Sequence, residues 1–211
     1  MSTQPTSRRR APSQSHQESL EKLWLVADEM LQQIVSMVTD LTDSQLQFES
    51  TLIPGSTALE TPKPAHTHDH YRLLLEACEN QSDQDRIHLS YDVRSRNIRS
   101  ETSQQAALDS FVALRKRLAT VTQKGKAVPA DKRVDLNAVT PFAVEVESSF
   151  SRELWFCILH ATHHLALLRV IIVGELGLSL PATFGTAPST LVHRSWDKQH
   201  RSTRDRASAK L

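Results

Sequence analysis

Cysteine is scarce in this chain of 211 residues: Cys78 and Cys157 are the only two, each within a predicted helix and neither in a CxxC pair. That excludes a disulfide framework and a thiolate zinc site, and both are read as small core side chains. Long apolar runs are also missing. The longest candidate, Leu154 to Val173, is interrupted by three histidines and Arg169, so it falls short of the roughly 20 uninterrupted apolar residues of a membrane span. The N-terminus, polar and Arg-rich through Arg8-Arg9-Arg10, does not continue into the apolar segment and small-residue cleavage site of a secretory signal. A soluble, cytoplasmic protein without membrane contact is expected.

The formal net charge of +1 hides an asymmetry: the ends carry much of the Lys and Arg, and the middle holds most of the Asp and Glu. From His193 to Leu211 there are six Lys/Arg against two Asp. Neither interleaved aromatics nor a recognition helix accompanies this basic tail, so it reads as a solvated end and no nucleic-acid partner is expected. No internal repeat is present. Ser151 and Ser189 lack a GxSxG-like elbow, which leaves a serine nucleophile without support.

Residues 1–18, rich in Ser, Gln, Thr, Pro and Arg, bury too little to offset the entropy of ordering and are expected to be disordered. From Ser19 the stripe Leu20, Leu23, Trp24, Ala27, Met30, Leu31, Ile34, Met37, Val38 and Leu41 predicts a first helix to about Asp40. Pro54-Gly55-Ser56 and Pro62-Lys63-Pro64 interrupt regular structure, and Pro64 suits the first turn of a second helix that runs to about Glu79. Ile87, Leu89, Tyr91 and Val93 alternate with polar residues and predict a short extended segment. Thr102 with Gln105 reads as a capping box for a third helix that ends near Gly125. Val134, Leu136 and Ala143 to Val146 predict a small hairpin through Thr140-Pro141. A fourth helix, apolar nearly all round, runs from Phe150 to about Glu175 and is stopped by Gly174, Gly177 and Pro181. Four long helices with a minor strand element imply a mainly all-α fold, a bundle with a small strand or hairpin between helices three and four, over residues 19–192. Residues 193–211 are expected to form a disordered basic tail.

Six of the ten histidines lie in two clusters, His66-Thr67-His68-Asp69-His70 on the second helix and His160-Ala161-Thr162-His163-His164 on the fourth. At 100° per residue, His160 and His164 are about 40° apart around the helix and one turn apart along it, so both imidazoles reach one point. His66 and His70 continue the apolar face of the second helix. With one of them, the pair makes a three-nitrogen set that leaves a coordination position open for water or substrate. His163 and His68 compete for the ligand roles. Zinc, nickel, iron and copper all suit such a site. Asp69, Asp92 and Glu153 are candidate carboxylate partners for ligand imidazoles.

Several short motifs occur in order: Pro54-Gly55-Ser56-Thr57; His66 with Asp69-His70-Tyr71; Tyr91-Asp92-Val93-Arg94-Ser95-Arg96 with Glu101; Arg152-Glu153-Leu154; His160-Ala161-Thr162-His163-His164; and Phe184-Gly185-Thr186-Ala187-Pro188-Ser189-Thr190. Together, over residues 20 to 192, they resemble a branch of the DinB-like superfamily of metalloenzymes, the DinB/YfiT-like group. The resemblance implies a four-helix bundle whose metal is held by three histidines, here His66, His160 and His164, with His70 as a substitute for His66. This chain has Glu60-Thr61-Pro62-Lys63-Pro64-Ala65-His66 where that branch has an Ile-Gly-x-His-x-Arg-His stretch. The open position, through a metal-bound water that ionises near pH ~7, points to a metal-dependent hydrolase, and the resemblance implies a thiol-dependent transferase that uses a low-molecular-weight thiol. The competing expectation is a non-catalytic metal-binding or structural bundle that acts through protein contacts. Tyr91, Arg94 and Arg96 are expected to hold an anionic group of a small-molecule substrate, since guanidinium matches carboxylate geometry. A homodimer is left open.

Overall fold

The computed structural model describes residues 14–57, 64–81, 85–93, 99–122, 128–139, 141–191 and 193. Helix α1 spans Gln14–Thr39, starting ahead of the expected Ser19. Its stripe of Leu20, Trp24, Ala27, Leu31, Ile34 and Val38 is buried. One helical turn, α2 (Asp43–Leu46), follows behind a capping box: Gln45 N–H donates to the Thr42 hydroxyl, and Thr42 N–H donates to Gln45 Oε1 at 2.9 Å.

Helix α3 (Pro64–Asn80) opens on proline, whose missing N–H costs nothing in a first turn. It buries Tyr71, Leu74, Leu75 and Cys78. Strand β1 (Arg86–Ser90) turns Ile87 and Leu89 inward. A single 3-10 turn, Arg99–Glu101, leads into α4 (Gln104–Thr122). Ser103, rather than Thr102, caps α4, its Oγ accepting from Ala106 N–H at 3.5 Å. Strands β2 (Arg133–Val139) and β3 (Ala143–Ser149) come next, and Ser149 then caps α5 (Phe150–Arg169), which continues as a π-helical stretch through Val170–Glu175.

The mainly all-α expectation is corrected by the sheet. β2 and β3 pair antiparallel, with Leu136 opposite Val146, but β1 also joins β2 in parallel, Ile87 beside Val134 and Leu89 beside Leu136. With α4 as the crossover between two parallel strands, the architecture is a mixed helix and sheet layer in the order β1-β2-β3, not a helical bundle with a detached hairpin. Local alternation shows each strand, but the pairing of segments more than forty residues apart leaves no local signature.

The sheet packs its Ile87, Leu89 and Val134 face into the core that α1, α3 and α5 share. Phe150–Glu175 is long and apolar enough to cross a membrane by length and composition, yet 50% of its most apolar window is buried inside the protein. Its buried face packs against α1 and α3, while Trp155, Leu159, Val170 and Val173 are exposed. After the helix the chain folds back onto it. Arg169 donates to the carbonyls of Pro181 (2.9 Å) and Phe184 (3.1 Å), and Gly185 lies against the α5 backbone at Leu165 and Ala166.

Candidate metal centre

Helices α3 and α5 lie side by side, and each presents histidines to the seam. One ligating nitrogen each from His66, His160 and His164 lies within 4.8 Å of the other two. His160 and His164, one helical turn apart, bring their Nε2 atoms to 2.9 Å with rings 77° apart in plane. His66 stands edge-on to both, its centroid 4.8 Å from His160 and 5.3 Å from His164. Nitrogens around a tetrahedral zinc are about 3.3 Å apart, given Zn–N bonds of about 2.0 to 2.1 Å, so small rotations of these rings accommodate an ion.

The donor chemistry fits as well. Burial, reinforced by the neighbouring His70, His164, His66 and His163 rings, pushes the His160 imidazole down to about 2, which keeps it neutral, the form that ligates.

The second histidine of α3 is placed differently. His70 is buried and its Nδ1 is 2.9 Å from the His66 carbonyl oxygen. A carbonyl only accepts, so Nδ1 carries the hydrogen and the tautomer is set. The ring stacks on His160 at 4.0 Å and 29°, and on Tyr91 at 4.8 Å and 16°. His70 is thus a flat wall beside His160 and lies outside the convergent trio. His163 is exposed. His68 faces α4, where its Nε2 meets Ser110 Oγ at 2.8 Å and its ring meets the edge of Phe111; burial pushes it down to about 4.

Of the candidate carboxylates, Glu153 is linked to the histidine cluster through Tyr91, which stacks on His70. It is buried and accepts from Ser148 Oγ at 2.5 Å and from the Tyr91 hydroxyl at 3.1 Å. It therefore orients Tyr91, whose ring backs His70, and it bonds none of the three convergent imidazoles directly. Burial first, then the nearby Cys157 and Glu153, holds the Tyr91 phenol well above its ordinary range. Asp69 accepts from Arg72 at 3.1 Å, an ion pair along α3. Asp92 is exposed and accepts from the backbone N–H of Val139, which ties the end of β1 to the sheet. Arg94 and Arg96 lie outside the described residues.

Sequence reasoning did not assign Phe156. Its ring is 5.6 Å from His160 and 5.3 Å from Tyr91. Arg152 places its guanidinium 5.8 Å over Phe156 and 5.4 Å over Trp155. The signal was available, because Arg152, Phe156, His160 and His164 recur every fourth residue of one helix face. The Pro54-Gly55-Ser56-Thr57 motif serves structure: Gly55 takes a positive φ of 71°, and Ser50 N–H donates to the Ser56 carbonyl across the turn. Glu175, beyond α5, then accepts from Ser50 Oγ and from Thr51.

Over 105 residues, 50% of this chain, the sequence is 38% identical to a curated protein of Rhizopus delemar named FK506-binding protein 5. The chain spans only 27% of that relative's length. No family model matches the chain, and no solved structure does. These findings overturn the DinB-like recognition, which rested on six short motifs, none of them specific by itself. The metal-dependent hydrolase and thiol-transferase readings fall with it, as do the metalloenzyme and four-helix-bundle descriptions.

Proposed function

We propose that this chain binds a divalent transition-metal ion through His66, His160 and His164 and, through that ion, a small molecule. The observation that supports this is the convergence of three imidazole nitrogens, from two separate helices, within 4.8 Å. Three protein nitrogens leave one tetrahedral position for an outside ligand. When bound, the ion supplies Lewis acidity to whatever occupies that position. His160 and His164 are held by the α5 backbone, and His66 is brought to them by the packing of α3. His70 fixes the rotation of the His160 ring by stacking on it, and Glu153 holds Tyr91 against the outer face of His70.

Elemental analysis of untagged protein loaded with zinc or nickel and then dialysed tests the reading. Near-stoichiometric metal is expected in the wild type and in His163→Ala, with at least a tenfold loss of affinity in His66→Ala, His160→Ala and His164→Ala. A folded wild type that retains no metal overturns it.

A second reading rests on the name of the relative. If the matched segment carries the property in that name, this chain binds FK506. Titration with FK506 by calorimetry decides it: saturable 1:1 binding supports this reading, and its absence at high micromolar ligand removes it.

A further inference from the structure

Where the first turn of α5 meets β2 and β3, an open groove of about 390 Å³ is lined in part by Leu136, Val146, Glu147, Arg152 and Glu153. Its acids are already engaged. Glu147 pairs with Arg86 at 2.9 Å and Arg133 at 3.3 Å, and Glu153 is held by Ser148 and Tyr91. Arg152 differs: its side chain is exposed, and no carboxylate among the described residues pairs with it. Its guanidinium instead lies over Phe156, the next residue of the row that leads to His160 and His164.

Arg152 is two turns from His160, about 12 Å along the helix axis. Between them the surface is apolar and aromatic, with Phe156 on the helix and Tyr91 against it at 5.3 Å. A cation at one end, rings in the middle and three converging nitrogens at the other define an elongated site rather than a point.

We propose that the small molecule taken by this site is an elongated acid, with a metal-binding donor group at the histidines, an apolar body along Phe156 and Tyr91, and an anionic group on Arg152. This inference rests on the metal-binding reading, and its test separates the two. An exposed charge-assisted contact gives roughly five- to tenfold in affinity.

The probes are suberic acid monohydroxamate and octanohydroxamate, which share a metal-binding head and an eight-carbon chain and differ in the terminal carboxylate. Binding to zinc-loaded full-length protein is followed by calorimetry, with metal content measured before and after. In the wild type, suberic acid monohydroxamate binds about five- to tenfold more tightly than octanohydroxamate at low salt. In Arg152→Gln that ratio falls to about one, and Arg152→Lys recovers part of it. Metal-loaded wild type with a ratio of one, or a ratio unchanged in Arg152→Gln, overturns the inference and leaves the metal site standing. Protein that cannot be loaded overturns both.

Discussion

His68 shows how burial, helped by the nearby Arg72 and Arg117, shifts one imidazole. Desolvation lowers it to about 4, while its partner Ser110 keeps one nitrogen bonded. The unfolded chain takes up the proton near pH 6.5, and the folded protein does so only near 4. Stability is therefore intact above pH 6.5 and falls as pH is lowered toward 4, by up to about 3 kcal/mol from this residue. Urea unfolding of chelator-treated protein at pH 7 and pH 4 checks this, because His68→Gln should be less destabilising at pH 4 than at pH 7. Gly185 is a second residue whose identity is dictated locally. Its φ is +64°, and a Cβ there would lie 2.7 to 2.8 Å from the Leu165 and Ala166 backbone. Gly185→Ala should cost about 2 to 4 kcal/mol, seen as a lower urea midpoint with an unchanged m-value.

At the scale of elements, the join between α1 and α4 depends on one side chain. The last turn of a helix leaves carbonyls without intrahelical donors. The Gln104 side-chain amide shares its two N–H bonds among the carbonyls of Val38 (3.0 Å) and Thr39 (3.0 Å) in that turn and of Leu41 (2.6 Å) just beyond it. Its own backbone N–H donates to Asp43 Oδ1 at 2.7 Å, so the start of α4 and the end of α1 are secured together. Gln104→Ala should destabilise by about 1 to 3 kcal/mol, with hydrogen exchange accelerated first at the C-terminal turn of α1. Gln104→Glu would set a carboxylate against three carbonyls and should cost more. Periodicity made the helices themselves legible, but this cap pairs residues more than sixty positions apart and has no local sequence signal.

At the scale of the molecule, the three histidines come from two helices separated by the parallel crossover and the hairpin. An ion bound there cross-links α3 to α5, which the unfolded chain cannot do with comparable affinity. Free metal at about a thousandfold over Kd should add about 4 kcal/mol, raising Tm by roughly 8 to 15 °C in a domain of this size. Calorimetric scans with and without zinc, and with His164→Ala as the control that loses the gain, measure it. The same scale explains the central helix. Half of its most apolar window is buried against its neighbours, α1, α3 and the sheet, while Trp155, Leu159, Val170 and Val173 stay exposed.

The sequence by itself determined the periodic elements: the α1 stripe, the alternation of β1, the proline start of α3, the capped apolar α5, and the spacing that sets His160 and His164 over one point. Each is a relation between residues a few positions apart, governed by the 3.6-residue and two-residue repeats. It led to a bundle rather than a mixed sheet, because the parallel partner of β1 is chosen by burial of a shared face and not by local pattern. It left His66 and His70 as alternatives for the same reason. Only the packing of α3 on α5 turns the His66 ring toward His160 and His164 while His70 lies flat against its neighbour. The fourfold spacing set Arg152 and Phe156 on the histidine face of α5, but only tertiary structure brought Tyr91 against the Phe156 ring.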